Sequence, residues 1–196
     1  MLKRLFDILF SLVGIFFLLP IFIVFAILIM IDSSGGIFYK QVRVGKDMQD
    51  FKLLKFRTMY TDADKKGLLT VGQRDSRITK VGYTLRKYKV DELPQLFNVL
   101  LGDMSLVGPR PEVRKYVDMY NAEQQKVLSV KPGITDYASI EYVNENELLK
   151  NAIDPEQLYI DEIMPEKLRL NLKYIAENSF VNDIKIILNT LKAIVS

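Results

Sequence analysis

The longest stretch of apolar positions lies near the start of the chain. No charged residue occurs between Ile8 and Met30, and these 23 residues would form a helix of roughly 35 Å, which is enough to cross the hydrocarbon core of a bilayer. Basic residues precede the stretch at Lys3 and Arg4 and also follow it, so they do not fix an orientation. The pattern predicts a membrane-embedded helix over residues 1–32.

Pro20 lies in the middle of this stretch. A proline inside a helix removes one backbone hydrogen bond and clashes with the carbonyl four residues back, so it can bend or break the helix. A helix broken there could enter and leave the membrane by one face, whereas a kinked helix would cross it. Prolines are common in membrane helices, and the residues alone leave both courses open.

Beyond residue 32 the pattern changes to short amphipathic segments. Ile37–Val44 and Phe51–Phe56 are predicted as two extended segments of a hairpin-like unit, and Lys65–Ser76 as a loop. Apolar residues at three- and four-residue spacing predict helices over Ile78–Lys87, Leu93–Leu101, Pro111–Tyr120, Ala122–Leu128, Pro155–Glu162 and Pro165–Glu177. We therefore expect a mostly α fold with a small β element over residues 33–196.

A last helix is predicted to begin after Ser179, which is a favourable N-cap residue. Charged residues of this helix, Asp183, Lys185 and Lys192, lie away from one side that carries Phe180, Ile184, Ile187, Leu188, Leu191, Ile194 and Val195. Such an apolar side either docks on the core or lies in the membrane interface, and the pattern fits both roles.

The composition narrows the chemistry. The 196 residues include no Cys, His or Trp, which excludes thiol nucleophiles, imidazole bases and zinc sites built from Cys or His. Residues 33–115 contain 17 basic and 9 acidic residues, whereas residues 116–196 contain 8 and 13. We therefore expect an anionic ligand or surface to bind the basic middle third.

Asp91 and Glu92 form the acidic pair with the strongest signal for chemistry. We predict Asp91 as the N-cap of a helix that stops at Gly102, and capping alone would explain the pair. The pair closely follows three basic residues, Arg86, Lys87 and Lys89. A carboxylate among cations at a helix N-terminus stays ionised and can share its site with phosphate or a metal ion. Asp91 is therefore also a candidate nucleophile.

Further basic residues are candidate ligands for phosphate. Arg110 lies between two prolines, so its guanidinium loses little freedom when it makes paired hydrogen bonds to a phosphate. Lys55 and Arg57 alternate with apolar residues after the second extended segment. A stiff turn and a solvated strand edge would show the same patterns, so neither motif decides the function by itself.

Several motifs occur in order along the chain. They are Gln41-Val-Arg-Val-Gly45, Lys55-Phe-Arg-Thr-Met59, Asp91-Glu-Leu-Pro-Gln-Leu-Phe-Asn98, Gly102-Asp-Met-Ser105, Gly108-Pro-Arg-Pro111 and Lys131-Pro-Gly-Ile-Thr135. Together with the basic start and the apolar helix, this order resembles the bacterial sugar transferase family, the monotopic phosphoglycosyl transferases. The resemblance covers residues 1–135 and returns more loosely at Tyr174–Thr190.

The resemblance implies a topology. Residues 1–32 would be a re-entrant membrane helix broken at Pro20. Residues 33–196 would be a catalytic domain with interfacial amphipathic helices on the cytoplasmic face of the bacterial inner membrane. Membrane lipids would then be direct partners, and a homodimer is left open.

The resemblance also implies a reaction. Asp91 would attack the β-phosphate of a UDP-sugar with Mg²⁺ bound, form a phosphosugar-enzyme intermediate and release UMP, and polyprenyl phosphate would then take the sugar phosphate. Asp91 would also contact the metal, and Glu92 would either deprotonate the acceptor or help to hold the metal. The basic residues assigned to the phosphates are Lys55, Arg57, Arg86 and Arg110.

At three places the sequence departs from the family pattern, which limits the residue roles that the resemblance implies for this chain. Leu19 stands before Pro20 where Ser is frequent, the segment Asp136–Ile140 lacks a usual glycine, and Asn171 stands where Asp is frequent. We expect the last two departures to bear on sugar selectivity, and we name the sugar no further than an N-acetylated hexosamine.

Two other classes of protein share some of these features. A noncatalytic membrane adaptor would use the basic middle third to bind anionic lipids or a partner, and a nucleic-acid binder would need the same charge. A membrane anchor and an acidic pair inside the basic region argue against nucleic acid. We therefore expect a phosphoglycosyl transferase that performs the first membrane step of glycan synthesis and supplies downstream glycosyltransferases.

Overall fold

The computed structural model describes residues 2–63 and 75–195, and the side chains up to residue 193. In chain order the elements are α1 (Leu2–Asp32), β1 (Phe38–Val44), β2 (Asp50–Phe56), α2 (Lys80–Lys87), α3 (Gln95–Leu101), β3 (Ser105–Val107), α4 (Arg114–Val117), β4 (Gly133–Thr135), α5 (Tyr137–Glu141), α6 (Glu145–Lys150), α7 (Pro155–Leu158), α8 (Met164–Ala176) and α9 (Phe180–Val195). The described part is mostly helical with small sheets, as predicted. Most of the predicted loop from Lys65 to Ser76 lies outside the described residues.

The predicted hairpin is confirmed. β1 and β2 pair antiparallel along their whole length, from Phe38 opposite Phe56 to Val44 opposite Asp50. β3 and β4 form a second, parallel pair that sequence analysis missed. Strands of three residues are too short to show the alternation of polar and apolar positions by which a strand is recognised.

The predicted helices are confirmed in part. α2, α3, α8 and α9 lie within the predicted ranges or within one residue of them. The helix predicted over 111–120 shortens to α4, and the one over 122–128 is a 3-10 segment, Gln124–Ser129. The helix predicted over 155–162 begins as α7 and continues through a π-helical stretch, Tyr159–Ile163, directly into α8. α5 and α6 were not predicted.

α1 differs from the expectation in one respect. The helix runs without interruption from Leu2 to Asp32, and Pro20 lies inside it, so the predicted break of the helical backbone is not present. A proline removes one hydrogen bond while the flanking turns keep theirs, and an apolar surrounding favours keeping them. The re-entrant course of the helix stays a prediction.

Most of the α1 surface is apolar and exposed. An 18-residue window of the helix has a mean hydropathy of 3.2, and only 11% of that window is buried within the protein. The core helix of a soluble protein would be mostly buried. An exposed apolar surface of this extent is suited to contact with lipid.

Polar side chains attach the first turns of α1 to the rest of the protein. Arg4 donates to the carbonyls of Val99 and Leu100 at 2.6 and 2.9 Å, so its charge lies at the C-terminal end of α3. The buried carboxylate of Asp7 accepts hydrogen bonds from the hydroxyl of Ser105 and from the next backbone amide, both at 3.1 Å. The start of α1 is thereby fixed to α3 and β3.

The other end of α1 is attached to the same body. Arg57 donates five hydrogen bonds to this end, to the Ser33 hydroxyl and to the carbonyls of Ile29, Ser33, Ser34 and Gly36. These bonds hold the last turn of α1 and the segment that follows it against the end of β2. The carboxylate of Asp32 accepts from the backbone amide of Val81 at 2.9 Å, which links the same end to α2.

α9 docks on the body, with a rotation that differs from the prediction. Ser179 caps the helix as expected. The buried side carries Asp183 and Ile186, whereas Leu188 and Leu191 of the predicted apolar side are exposed. The helix therefore does not bury its most apolar side.

Asp183 lies inward because two partners compensate for its burial. Its carboxylate accepts from Lys3 Nζ at 2.5 Å and from the Tyr174 hydroxyl at 2.8 Å, and Lys3 also donates to the carbonyl of Val107. A buried charge is tolerated when it is paired and hydrogen-bonded. The network connects α1, β3, α8 and α9 and confirms the core-docking role of α9, while contact of its outer side with the membrane stays a prediction.

Two glycines allow the segments around β3 and β4 to approach closely. A Cβ added to Gly133 would lie 2.1 Å from the backbone nitrogen of Gly108, and one added to Gly108 would lie 2.5 Å from the carbonyl oxygen of Lys131. Interiors are too closely packed to absorb such overlaps, so a side chain would push the segments apart. Gly108 precedes Arg110 by two residues, so this contact also fixes a predicted phosphate ligand.

We expect Gly133→Ala to destabilise the protein by roughly 1–3 kcal/mol or more, because overpacking against backbone cannot be relieved by a side-chain movement. Gly36→Ala is the matched control, since the nearest described atom to its added Cβ would be the carbonyl oxygen of Phe38 at 3.7 Å. Thermal unfolding of both variants in the same detergent measures the difference. Equal melting temperatures would contradict the close contact.

Candidate active site

Asp91 and Glu92 lie in a tight turn between α2 and α3. Lys89 has a left-handed backbone conformation, with φ of 56°, and the three residues that end at Glu92 form one 3-10 turn. α3 begins only at Gln95, so Asp91 is not its N-cap and that prediction is wrong. Pro94 has no amide hydrogen to donate, and the helical hydrogen bonds begin after it.

Asn98 fixes α3 against the strand that carries Lys55. Its side-chain oxygen accepts from the amide of Leu54 at 2.9 Å, and its side-chain nitrogen donates to the carbonyl of Lys52 at 2.8 Å. The helix ends at Gly102 as predicted, with a left-handed φ of 101°. The acidic turn that precedes α3 is thereby held close to Lys55.

The Glu92 carboxylate is bound by two cations. Lys55 donates to Oε1 at 2.8 Å, and Arg110 donates to both oxygens, to Oε2 at 3.1 Å. Burial would raise the pKa of Glu92, but Arg110 and Lys55 outweigh it and hold that pKa well below its usual value. Burial in turn lowers the pKa of Lys55, and the ion pair with Glu92 limits the decrease. The structure therefore brings together three residues that the sequence predicted for the site.

Arg110 is held at its backbone by Asp136. The fully buried carboxylate of Asp136 accepts from the amide of Arg110 at 3.1 Å and from the amide of Ser139 at 2.6 Å, where it caps α5. The Glu92 carboxylate raises the pKa of Arg110 above its ordinary value. Asp136 is thus a structural support of the site, a role that sequence analysis missed because its partner is far away in the chain.

Asp91 differs from its neighbour in having no bound partner. Its side chain is only 6% exposed, and among residues 2–63 and 75–195 no hydrogen bond or salt bridge is made to its carboxylate. Burial is the main cause of the raised pKa of Asp91, and the negative charge of Glu92 adds to it. The positive charges of Lys55, Arg86 and Lys89 oppose this rise. A carboxylate that lies among cations without hydrogen bonds can act as a nucleophile or a metal ligand.

The two remaining predicted phosphate ligands lie differently. Arg86 is on α2, close enough to Asp91 to lower its pKa. Arg57 is buried, and its guanidinium is bonded to the end of α1. The structure does not bring Arg57 to the carboxylates, and its phosphate role stays a prediction. An alternation of basic and apolar residues cannot distinguish an arginine that binds phosphate from one that is bonded to the end of a helix.

Asp91 is also the residue available for the predicted Mg²⁺. Among the described residues, no group of three or more acidic side chains could hold a metal ion. Mg²⁺ is usually bound by one or two carboxylates and completed by substrate phosphates and water. A single carboxylate without hydrogen bonds fits that arrangement, whereas a metal cage made of protein alone does not fit these residues.

A membrane-suited helix and a buried carboxylate pair among cations are consistent with an enzyme that transfers phosphorylated groups at a membrane. Comparison with protein families agrees, because the model described as bacterial sugar transferase matches residues 1–196. The chain belongs to the bacterial sugar transferase family. It is therefore a transferase, which decides against the noncatalytic adaptor.

Individual relatives have more specific names. The "Putative undecaprenyl-phosphate N-acetylgalactosaminyl 1-phosphate transferase" of Bacillus subtilis (strain 168) is 46% identical over 62% of this chain and 68% of its own length. The "UDP-N-acetylgalactosamine-undecaprenyl-phosphate N-acetylgalactosaminephosphotransferase" of Aeromonas hydrophila is 36% identical over 99% of this chain and 44% of its own. The "UDP-glucose:undecaprenyl-phosphate glucose-1-phosphate transferase" of Klebsiella pneumoniae is 36% identical over 96% and 39%. The chain spans less than half of the last two relatives.

We expect Asp91→Asn and Glu92→Gln to change the free energy of unfolding in opposite directions at pH 7. The pKa of Asp91 is raised in the folded state, so its ionisation opposes folding, and an uncharged amide of the same shape removes that cost. The pKa of Glu92 is lowered, so its ionisation favours folding. Its loss leaves Lys55 and Arg110 without their anion, which costs roughly 2–3 kcal/mol.

Urea unfolding at a series of pH values checks both signs. The gain from Asp91→Asn should be full above the folded pKa of Asp91 and absent below its ordinary value of 3.8. The deficit of Glu92→Gln should persist down to the ordinary value of 4.5 and shrink as the pH falls towards the folded pKa. A destabilised Asp91→Asn variant at pH 7 would contradict the absence of stabilising partners at Asp91.

Proposed function

We propose that this transferase moves a sugar 1-phosphate from a UDP-sugar to a polyprenyl phosphate, and that Asp91 carries the sugar phosphate between them. The supporting observation is the contrast within one turn, where Glu92 is bound by two cations, whereas Asp91 is buried and makes no hydrogen bond with any described residue. The names of the relatives supply the substrates, undecaprenyl phosphate and UDP-sugars. The product would start a polysaccharide that downstream glycosyltransferases extend.

The reaction has two steps. In the first, a carboxylate oxygen of Asp91 attacks the β-phosphorus of the donor, the bond from this phosphorus to the bridging oxygen breaks, and UMP leaves with the bridging electron pair. In the second, an oxygen of polyprenyl phosphate attacks the same phosphorus, and cleavage of the acyl phosphate restores the carboxylate. Both attacking oxygens are anionic, so neither step requires removal of a proton from an alcohol.

The cations would stabilise the charge that moves during each step. Lys55, Arg86 and Arg110 would bind phosphate oxygens in a partly dry site, where such contacts are stronger than in water. Glu92 keeps Lys55 and Arg110 oriented, and its lowered pKa makes it a weak base, so we assign it to positioning rather than to proton transfer. Asp91 would also hold Mg²⁺, and the ion would supply positive charge that offsets the charge of the donor.

The covalent step can be tested with the donor alone. The enzyme, given UDP-sugar and Mg²⁺ without polyprenyl phosphate, should release UMP and gain the mass of one sugar phosphate on the peptide that contains Asp91. Asp91→Asn should form no adduct, because the amide cannot attack phosphorus. Glu92→Gln should still form the adduct, although at least about tenfold more slowly, since Lys55 and Arg110 lose their orientation.

Initial-rate kinetics give an independent measurement. A covalent intermediate gives parallel double-reciprocal lines. Direct transfer, with Asp91 only holding Mg²⁺, gives intersecting lines and no UMP until both substrates are present. Intersecting lines together with an unlabelled Asp91 peptide would leave the transferase assignment standing and the covalent role refuted.

We further propose that α1 is re-entrant and that the catalytic body lies on the cytoplasmic face of the inner membrane. Arg4 and Asp7 at one end of the helix and Asp32 at the other are bonded to backbone atoms of a single body. A body on one side of the membrane requires both helix ends on that side. This attachment supports a helix that enters and leaves by one face, even though its backbone is continuous.

Cysteine labelling tests this topology, because the chain has no cysteine of its own. Leu2→Cys and Ser34→Cys place exposed thiols at the two ends of α1, and Glu123→Cys is the matched control on the body. A membrane-impermeant maleimide should label none of the three in intact cells and all three after permeabilisation. Labelling of one helix end from outside would refute the re-entrant course.

A further inference from the structure

A cavity lies beside the Asp91 site. It has a volume of about 180 Å³ and lies between α2 and the start of α6, with walls that include Tyr83, Arg86, Lys89, Asn144, Asn146 and Glu147. Arg86 and Lys89 are also two of the cations whose charge lowers the pKa of Asp91. The cavity and the proposed nucleophile are therefore close to the same two cations.

The opposite wall has groups that suit a ligand rich in hydroxyls. The side-chain amides of Asn144 and Asn146 each offer donors and an acceptor, and among the described residues neither side chain makes a hydrogen bond. Glu147 adds a carboxylate acceptor, and its distance of 3.9 Å from Lys150 Nζ is longer than a hydrogen bond. A ligand could bind these groups without breaking a hydrogen bond that the described residues already make.

We propose that this cavity binds the sugar ring of the donor and that Asn144 and Asn146 discriminate between sugars. The inference rests on the proposed function. The sugar is attached to the phosphorus that Asp91 attacks, so it must lie next to Asp91, whereas the nucleoside lies one phosphate further away. Arg86 and Lys89 bind phosphate oxygens on the side near Asp91, and the two amides bind hydroxyl or N-acetyl substituents on the far side.

Sugar selectivity would then lie away from the two positions that the sequence suggested, Asp136 and Asn171. Asp136 is engaged by the amides of Arg110 and Ser139. Asn171 is 4% exposed and borders a separate cavity of about 20 Å³, which has room for one water molecule at most. Neither side chain is available to a sugar in the way that Asn144 and Asn146 are.

The test compares donors on the full chain in detergent with Mg²⁺ and polyprenyl phosphate. Asn144→Ala and Asn146→Ala remove the amides, and Asn151→Ala at the exposed end of α6 is the matched control. UMP release is measured with UDP-glucose, UDP-galactose, UDP-N-acetylglucosamine and UDP-N-acetylgalactosamine, and inhibition by UMP is measured in parallel. The kcat/KM ratio between the best and the second donor should fall by about threefold to tenfold in each cavity variant, as one neutral hydrogen bond is lost. UMP inhibition and the control should not change.

Two outcomes overturn the inference. An equal loss with all four donors, together with weaker inhibition by UMP, would mean that the nucleotide occupies the cavity. Unchanged donor ratios in both cavity variants would mean that no discriminating contact is made there.

Calorimetric binding of the same donors and of UMP separates this inference from the proposed function. Cavity variants that lose affinity for a UDP-sugar but keep affinity for UMP support the sugar site even if the wild type releases no UMP, and then only the proposed function fails. A wild type that neither turns over nor binds any of the four donors overturns both.

Discussion

The adjacent carboxylates Asp91 and Glu92 are buried in one turn, where an ionised group costs free energy unless a cation compensates it. The hydrogen bonds of Lys55 and Arg110 go to Glu92, so Asp91 keeps only the longer-range attraction of the surrounding cations. This unequal division makes Glu92 a fixed support, and under the proposed mechanism it leaves Asp91 free to react. Neighbouring contacts hold these groups in position. Asn98 holds the turn against β2, and the close contact between Gly108 and Gly133 holds Arg110 in place.

The membrane helix and the site are parts of one framework. Lys55, the next-to-last residue of β2, is bonded to Glu92, and two residues later Arg57 is bonded to the end of α1. α3 begins just after the acidic turn, and Arg4 of α1 binds the carbonyls at its other end. A substrate with a lipid tail and a charged head needs its two parts placed at a fixed separation. Attachment of α1 through these two elements sets the depth of the site relative to the apolar surface without a flexible linker.

The parts that could be predicted from sequence are those determined by residues close together in the chain. The apolar helix, the β1–β2 hairpin, the Ser179 cap and the stop at Gly102 all follow from local patterns. Errors occurred where a distant partner decides, as with Asp183, whose partner Lys3 is 180 positions away. Arg57 and Asp136 also have hydrogen-bond partners far away in the chain, at the end of α1 and at Arg110. The resemblance to a family correctly grouped Lys55, Glu92 and Arg110, because ordered motifs carry long-range information that periodicity lacks.

The uneven charge of the sequence acquires a physical meaning in the structure. The basic middle third supplies Arg86 and Lys89 on one wall of the cavity, and the acidic last part supplies Glu147 and the neutral amides on the other. The sugar phosphate that is transferred has the same polarity, with an anionic phosphate at one end and a neutral ring at the other. The field across the cavity would therefore orient a donor before any hydrogen bond forms. The phosphate would be drawn to the cations around Asp91, and the reversed pose, with phosphate against Glu147, would be repelled.

Reaction at phosphorus and recognition of the sugar can then depend on separate walls of the cavity. Substitutions of the amide residues could therefore alter the choice of sugar while the carboxylate pair stays intact.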